Sequence, residues 1–428
     1  MQQKIDGLLV PKLRFPEFLD VSEWEKTTIG DIGSFYYGKS APKWSLKEDA
    51  PTRCVRYGEL YTKFGAIIAG TYSRTNIDPK NLRFSKGGEI LVPRVGEKPE
   101  DFGKCCCYLP LANIAIGEMI SVFETSQNPL FYTYYFRNLY REFAKVVEGQ
   151  NVKNLYYVEL QTLPIHRPPL QEQQKIADCL TSLDDRITLE AQKLDTLKVH
   201  KKGLMQQLFP AEGEPLPKLR FPEFGESWEK STLDRLIDFQ SGYAFQSEYF
   251  SEQGEKLLTP KNFTKNGYAD FNKRNTKYTV EDFDPKYVCK EGDLLLLLTD
   301  LTPSCELLGK PLLLIKSDGD VLLNQRIVQI ISKGSIKIGF LFYFFLTESF
   351  HKRITDTATG STVRHSSNKI ISSTEIYFPL EREQQKIADC LSSLDELIAA
   401  QTQAIDTLKT HKKGLMQQLF PSVEEVKA

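Results

Sequence analysis

One stretch of the chain matches a motif that binds nucleotides. Residues 33–40 read GSFYYGKS and fit the phosphate-binding loop pattern G-x-x-x-x-G-K-[ST]. Such a loop works only when small residues let backbone N–H groups surround the phosphates and a helix follows directly. Three of the four spacer residues here are bulky aromatics, and Pro42 would interrupt the first turn of that helix. A phosphate-loop nucleotide-binding enzyme is therefore only a remote alternative.

Other catalytic and metal-binding patterns are missing from the sequence. No G-x-G pair is present for a dinucleotide, and the eight cysteines form no C-x-x-C pair. The run Cys105–Cys107 has the wrong spacing for a tetrahedral metal site. The five histidines are scattered, and His200 and His411 are repeat partners beside lysines. We expect no catalytic residue, no metal site and no cofactor on this chain.

Composition limits the possible partners. The chain carries 55 basic and 56 acidic residues, so its net charge of −1 gives no overall attraction to nucleic acid. Any nucleic-acid binding must depend on local basic patches. The N-terminus lacks the apolar core of a signal peptide, and no stretch approaches the length of a membrane span. We expect a cytoplasmic protein with reduced thiols and no membrane partner.

Three blocks of sequence occur twice. They are PKLRFPEF at 11–18 and 217–224, EQQKIADCL at 172–180 and 383–391, and DTLK[VT]HKKGLMQQLFP at 195–210 and 406–421. The segments between these blocks keep a similar length while their sequences diverge. Each half is therefore predicted to contain an entry segment, a variable globular part and a shared helical tail.

The shared tails carry a coiled-coil pattern, because their core positions step alternately by four and three residues. The predicted core positions are Ile176, Leu180, Leu183, Ile187, Glu190, Leu194, Leu197 and Leu204 in the first tail, and Ile387, Leu391, Leu394, Ile398, Gln401, Ile405, Leu408 and Leu415 in the second. A compact domain has its ends close together, so the second helix is expected to run antiparallel to the first. Two separate amphipathic core helices remain the alternative.

This organisation predicts an α+β protein in which two pseudo-two-fold-related α/β domains are joined by two long antiparallel helices. The predicted boundaries are 1–168 for the N-terminal entry segment and first domain, 169–210 for the first helix, 211–379 for the second entry segment and domain, 380–421 for the second helix, and 422–428 for a tail.

The duplication also tests the nucleotide-binding hypothesis. Trp24 aligns with Trp228, and at the same offset Gly33 becomes Ile237 and Lys39 becomes Tyr243. Only the second glycine of the motif, at position 38, is kept in the second half. We therefore interpret GSFYYGKS as a strand followed by a turn glycine that matches the loose pattern by chance.

Both variable parts contain turn-rich segments with basic and aromatic residues, such as RCVRYGELYTK at 53–63 and GSTVRHSSNK at 360–369. Arg, Lys, Asn, Gln and Ser on loops are the side chains that contact bases and phosphates. The same residues also occur in ordinary turns and soluble surfaces, so composition alone leaves both interpretations open. Two different readers on a rigid support suit a target with two separated half-sites.

In the order and repetition of its motifs, the chain resembles the specificity subunits of Type I restriction–modification systems over essentially its whole length. The likeness rests on the entry blocks, the strand start WEKTTIGDIGSFYYGKSAP, the pair KGGEILVPR and KEGDLLLLL, the loop glycines in EGQNVKNL and TGSTVRHSSNK, and the helix entry PPLQEQQKIA. The second helix entry reads FPLEREQQKIA, with Leu380 in place of the second proline.

The resemblance implies a non-catalytic subunit that binds double-stranded DNA. Each target-recognition domain would read one half of an asymmetric bipartite target, and the helices would set the gap and dock two methyltransferase subunits. Restriction and translocase subunits would join the complex. S-adenosylmethionine, ATP and Mg would bind to those partners. A coiled-coil adaptor that binds proteins and lacks DNA specificity is the alternative.

The residues that we expect to face DNA are basic and polar side chains on the loops of both variable parts. In the first they are Lys39, Arg56, Tyr57, Lys63, Arg74, Arg94, Lys98, Gln150 and Lys153. In the second they are Lys261, Asn262, Lys265, Arg274, Ser361, Arg364, His365 and Asn368.

Overall fold

The computed structural model describes residues 11–21, 23–300, 304–360 and 363–421. Its contacts divide the chain into two compact units. Unit 1 comprises Met1–Ala191 and Gln403–Ala428, and unit 2 comprises Gln192–Thr402. Each unit therefore contains a part of each long helix. The tail predicted at 422–428 lies outside the described residues.

Unit 1 is built from short strands and short helices around the start of a long helix. Its strands are β1 Glu25–Thr28, β2 Gly33–Tyr37, β3 Thr52–Val55, β4 Ser73–Thr75, β5 Glu89–Pro93, β6 Val95–Gly96, β7 Cys107–Leu109, β8 Ala115–Ile116, β9 Ile120–Thr125, β10 Lys153–Asn154 and β11 Pro164–Arg167. Its helices are α1 Tyr57–Thr62, α2 Pro99–Lys104, α3 Pro129–Asn138, α4 Tyr140–Lys145, α5 Tyr157–Gln161 and α6 Leu170–Leu208, the last continuing into unit 2.

Unit 2 repeats this organisation. Its strands are β12 Glu229–Thr232, β13 Ile237–Ser241, β14 Phe250–Ser251, β15 Glu255–Leu258, β16 Lys277–Thr279, β17 Val288–Cys289, β18 Leu294–Leu297, β19 Thr299–Asp300, β20 Pro311–Leu313, β21 Val321–Leu323, β22 Ile327–Ser332, β23 Arg364–His365 and β24 Glu375–Phe378. Its helices are α7 Leu233–Leu236, α8 Ile338–Leu346, α9 Glu348–Asp356, α10 Asn368–Ser372 and α11 Glu381–Leu419, the last continuing into unit 1.

The sheets of the two units have matching topology. The antiparallel sheet β2-β9-β5-β7 of unit 1 corresponds to β13-β22-β18-β20 of unit 2. The three-stranded sheet β4-β3-β8, which includes the parallel pair β3 and β8, corresponds to the middle strands β16-β15-β21 of a five-stranded sheet in unit 2, whose outer strands are β14 and β17. The pairs β1-β11 and β6-β10 correspond to β12-β24 and β19-β23. The divergent sequences therefore encode one fold twice.

The central strands are buried on both faces. In β5, Ile90 and Val92 join a core cluster that includes Phe131 of α3, whereas Leu91 joins a separate cluster. Successive side chains of a strand point to opposite faces, which explains this split. In β18, Leu294 likewise faces the helical core of unit 2. Each four-stranded sheet therefore separates a helical layer from a second apolar layer.

The long helices pack antiparallel, as the sequence predicted. Each has 39 residues. In unit 1, Ile176 near the start of α6 shares a core cluster with Leu419 at the end of α11. In unit 2 the roles are exchanged, because Leu208 at the end of α6 shares a cluster with Ile387 near the start of α11. Each predicted seam position is buried or half-buried, whereas the neighbouring Leu189 is 63% exposed.

A buried ion pair fastens each entry segment to the start of a long helix. Arg14 donates from Nε and Nη2 to the two carboxylate oxygens of Glu172, at 2.9 and 2.7 Å. Arg220 and Glu383 form the same bidentate pair, also at 2.9 and 2.7 Å. The Arg14 and Glu172 side chains are only 4% and 1% exposed. Two parallel charge-assisted hydrogen bonds compensate for the loss of water around both groups.

The third repeated block, at the end of each long helix, contacts the entry segment beside this ion pair. In unit 1 the backbone N–H of Leu13 donates to the carbonyl of Gln418 at 3.0 Å. In unit 2 the N–H of Leu219 donates to the carbonyl of Gln207 at 2.9 Å. All three repeated sequences therefore contact one another within each unit, and this gives a physical reason for their recurring together.

A tyrosine, an aspartate and a lysine connect each globular part to both long helices. In unit 1, Tyr134 of α3 donates to Asp184 of α6 at 2.8 Å, and Lys412 of α11 contacts the same carboxylate at 2.5 Å. In unit 2, Tyr343 and Lys201 contact Asp395 at 2.8 and 2.5 Å. Burial lowers the pKa of Lys412, and the carboxylate of Asp184 partly offsets that effect.

The phosphate-loop hypothesis is wrong. Residues 33–37 form β2, which pairs antiparallel with β9, and only a 3₁₀ turn at Lys43–Ser45 follows. The glycine kept in both halves serves a close approach of two backbones. A Cβ on Gly38 would lie 2.1 Å from the carbonyl oxygen of Gly117, and one on Gly242 would lie 2.1 Å from that of Asn324.

Removal of one partner of the buried pair should be strongly destabilising. We expect Glu172→Ala to lower the free energy of unfolding by about 3–5 kcal/mol, because Arg14 would remain buried without a counter-ion. Urea denaturation measures this change. Glu17→Ala is the control, since it removes an exposed pair with Lys175 and should cause no measurable change. If both variants unfold at the same urea concentration, Glu172 does not have this structural role.

Candidate nucleic-acid interface

A tight loop occupies the same position in each unit. We call residues 148–154 tip loop 1 and residues 359–365 tip loop 2. In tip loop 1, Glu148 and Asn154 exchange backbone hydrogen bonds at 2.9 and 2.8 Å. Thr359 and His365 do the same in tip loop 2, at 3.0 and 2.9 Å. Predicted residue Ser361 lies in tip loop 2 but outside the described residues.

A glycine at the second position of each tip loop makes the turn possible. Gly149 has φ +96° and Gly360 has φ +99°, in the region that favours glycine. A Cβ on Gly149 would lie 2.3 Å from the carbonyl oxygen of Val152, and one on Gly360 would lie 2.0 Å from that of Val363. The loop shape is therefore incompatible with any side chain at these positions.

The sheet framework holds each tip loop against the segment that follows the central strand. In unit 1, β10 pairs with β6, and the N–H of Leu155 donates to the carbonyl of Arg94 at 2.9 Å. In unit 2, β23 pairs with β19, and the N–H of Ser366 donates to the carbonyl of Leu298 at 2.9 Å. Equivalent surfaces are thus built by equivalent hydrogen bonds.

The unit 1 surface combines an arginine with tyrosine rings. The Arg94 guanidinium carbon lies 4.4 Å from the ring centre of Tyr37 and 5.5 Å from that of Tyr156. Nε of Arg94 is buried and has no hydrogen-bond partner in the described part of the chain. Burial raises the pKa of Tyr37, so its hydroxyl stays protonated at neutral pH. The site therefore offers hydrogen-bond donors beside flat aromatic faces.

The unit 2 surface has different chemistry at the corresponding positions. Arg364 donates from Nη1 to the carbonyl of Gly360 at 3.1 Å, and a ring nitrogen of His365 lies 3.1 Å from the Thr299 hydroxyl. Three buried polar atoms find no hydrogen-bond partner within the described ranges, namely Nε of Arg364, Oγ of Ser366 and Oδ1 of Asn368. Buried polar groups are rarely left unpaired, so these three atoms are available to a polar partner such as a water molecule or a ligand.

The other residues predicted in unit 1 lie in varied surroundings. Lys39, Lys63, Lys98 and Gln150 are exposed, whereas Arg56, Tyr57 and Lys153 are half-buried. Nζ of Lys153 donates to the carbonyl of Gly149 inside tip loop 1, at 2.6 Å. The guanidinium of Arg74 donates to the backbone carbonyls of Ala50 and Pro51, which gives this half-buried side chain a structural role. Its contact with DNA stays a prediction.

The residues predicted between 261 and 274 in unit 2 also differ. Lys261 and Arg274 are exposed, and Lys265 pairs with Glu306 at 2.7 Å. Asn262 is fully buried, and its amide contacts Thr259, Asp270 and Asn275. The expectation that Asn262 lies on the outer surface is therefore corrected.

Sequence reasoning missed Tyr37, Tyr156 and Ser366. Tyr37 belongs to a strand and lies within the phosphate-loop pattern. Tyr156 lies two residues after tip loop 1 and Ser366 directly follows tip loop 2, so a comparison of these segments between the two halves could have indicated them. The described residues contain no cluster of His, Cys, Asp and Glu that could hold a metal ion. No helix within them is long and apolar enough to cross a membrane.

Comparisons with known proteins agree with this architecture. The sequence model described as Type I restriction modification DNA specificity domain matches residues 21–199 and 225–410. The MjaVIII specificity subunit of Methanocaldococcus jannaschii is 28% identical over 432 residues, which cover 97% of this chain and 95% of that protein. The EcoAI specificity subunit of Escherichia coli is 28% identical over 216 residues, covering 47% and 34%.

A solved structure has the same fold. The S subunit of a Type I restriction–modification system from M. genitalium superposes with a TM-score of 0.60 at 15% identity. The match covers 97% of this chain and all of that chain.

The tip-loop glycine gives a test of the interface. Gly149→Ala should cost about 1–3 kcal/mol through backbone strain and should change the loop shape. We expect weaker binding to duplex DNA with the fold retained, measured by fluorescence anisotropy and circular dichroism. Gly203→Ala is the matched control, because Gly203 lies in α6 and a Cβ added there would meet no neighbouring group within 4 Å. Unchanged DNA binding by Gly149→Ala would argue against tip loop 1 as a contact.

Proposed function

The chain belongs to the Type I restriction modification DNA specificity family, and we propose on that basis how its two units divide the recognition of DNA. It is a non-catalytic specificity subunit with two target-recognition domains. In our proposal, the tip loop of each unit and the segment beside it contact one half of an asymmetric bipartite target.

One observation carries this proposal. The two units share the strand order of their four-stranded sheets, yet the side chains beside their tip loops differ. Unit 1 presents Arg94 beside Tyr37 and Tyr156, whereas unit 2 presents Nε of Arg364 and Oδ1 of Asn368, which have no hydrogen-bond partner among the described residues. A shared framework with different contact groups is what two different half-sites require. Arginine most often contacts guanine, while asparagine pairs well with adenine.

The exposed lysines are proposed to contact phosphates. Lys39, Lys63, Lys98, Lys261 and Arg274 are solvent-exposed and lie outside regular sheet pairing. Flexible cations of this kind fix the position of a protein on the duplex and carry little sequence information. The polar groups beside the tip loops are proposed to read the bases.

The long helices are proposed to set the gap between the half-sites and to dock two methyltransferase subunits. A helix of 39 residues is roughly 58 Å long. Restriction and translocase subunits would complete the complex. S-adenosylmethionine, ATP and Mg would bind to these partners and supply methyl transfer and DNA translocation there.

Two arginine variants test whether each unit reads its own half of the target. Arg364→Ala should relax one position of the half-site read by unit 2, at a cost of about 1–3 kcal/mol for the correct base. Arg94→Ala should relax one position in the other half-site. The measurement is a map of methylated sites in cells that carry the chain with its partner subunits.

Each arginine variant is the control for the other. A single split asymmetric motif with the two changes in opposite halves supports the assignment. If both variants methylate the same sites as the unaltered chain, the tip-loop surfaces do not read DNA.

Salt dependence separates a DNA reader from a protein adaptor. The affinity for duplex DNA should fall steeply as salt rises, because phosphate contacts release counter-ions. Lys63→Ala should weaken binding to all sequences and reduce the slope of log K against log salt by about one. Lys175→Ala, at a surface pair outside the proposed interface, is the control. An affinity for DNA that does not change with salt concentration would favour the protein adaptor.

A further inference from the structure

A lysine-lined cleft lies within unit 2, apart from the tip loop. Its volume is about 800 Å³, and it is bounded by the end of α6, the junction of α8 and α9, and the residue before β20. Five lysines and three carboxylates line it, which leaves an excess of two positive charges. We call it the lysine cleft.

A comparison of the two units shows which residues differ at the position of the lysine cleft. Three residues after the tyrosine that contacts the long helices, unit 1 has Arg137 and unit 2 has Leu346. The guanidinium of Arg137 donates to the carbonyl of Cys106 at 2.8 Å, so its charge is used inside the fold. Leu346 cannot make such bonds. The residue before the edge strand is Cys106 in unit 1 but Lys310 in unit 2.

Lys310 supplies a cation that the fold does not fully neutralise. Its ammonium has no hydrogen bond or ion pair with any residue in the described ranges, and it lines the cleft. Burial lowers the pKa of Lys310, and the carboxylate of Glu348 offsets that effect only in part. A half-buried ammonium without a hydrogen-bonded partner is unfavourable. An anion bound in the cleft would remove this cost.

The other lysines that line the cleft can contact the same bound anion. Lys202 pairs with Glu348 at 2.9 Å, but both side chains are about two-thirds exposed or more. Lys265 has a similar exposed pair with Glu306. Exposed pairs are weak and exchange readily for a stronger anion. Lys198 lines the cleft without a described partner.

Part of the lining of the cleft is apolar. Met205, Phe209 and Leu346 line it together with the lysines. A volume of this size accommodates a drug-sized molecule. We propose that the lysine cleft binds a phosphate-bearing small molecule of nucleotide size, with its phosphates on Lys198 and Lys310 and its flat base against the apolar lining residues. Such a ligand would be an effector and would take no part in the chemistry of the partner subunits.

Isothermal titration of the full-length chain with ADP, pyrophosphate and adenosine tests the proposal. We expect ADP to bind more tightly than pyrophosphate and adenosine to bind weakest, because only ADP can contact both the lysines and the apolar lining residues. Lys310→Met and Lys198→Met should each weaken ADP binding about tenfold, the loss typical of one charge-assisted contact.

The repeat provides the matched control. Lys409 occupies the position of Lys198 in the second copy of the same block and lies in unit 1. Lys409→Met should leave ADP binding unchanged. The double variant Lys310→Cys with Leu346→Arg, which copies the unit 1 arrangement, should abolish it. Absence of ADP binding to the unaltered chain would overturn the proposal, as would equal losses in Lys198→Met and Lys409→Met.

Discussion

The buried arginine–glutamate pair is the interaction on which both units depend. It brings an entry segment, the first turn of one long helix and the last turn of the other to a single point, and it does so twice. In unit 1, where both side chains are buried, neither charge can be removed alone without leaving its partner desolvated. The pair is also directional, because its two parallel hydrogen bonds fix the angle at which the chain enters the helix. The globular layers are then built on a support whose geometry is already set.

The tolerance of the fold to sequence change follows from where its constraints lie. Backbone hydrogen bonds and alternating apolar residues define the sheets, so many sequences satisfy them. Contacts between the repeated blocks involve specific charges and amides, such as Gln173 bonded to the N–H of Asn128 and Gln384 bonded to the N–H of Lys337. These contacts admit few substitutes. The surface beside each tip loop lies outside both sets of constraints and is free to differ between the units.

Much of the architecture could be predicted from the sequence, because the heptad seam and the repeated blocks are local patterns. Their antiparallel packing followed from chain connectivity. The candidate interface was harder to predict, since a basic residue on a loop has the same sequence signature whether it faces solvent or closes a turn. Arg74 and Asn262 turned inward to satisfy backbone groups, and Tyr37 acquired its setting from residues distant in the chain. Tertiary contacts of this kind produce no periodic pattern in the sequence.

The division of the chain into units has a consequence for the order of synthesis. Unit 2 is one continuous segment, Gln192–Thr402, whereas unit 1 is interrupted and requires residues after Gln403. The contact between Asp184 and Lys412 cannot form until residue 412 has been translated, after the whole of unit 2. Unit 1 therefore begins before unit 2 in the chain and is completed after it, so the two units cannot fold strictly in the order of their synthesis. Until then Ile176 of α6 lacks the part of its core that Leu419 of α11 supplies.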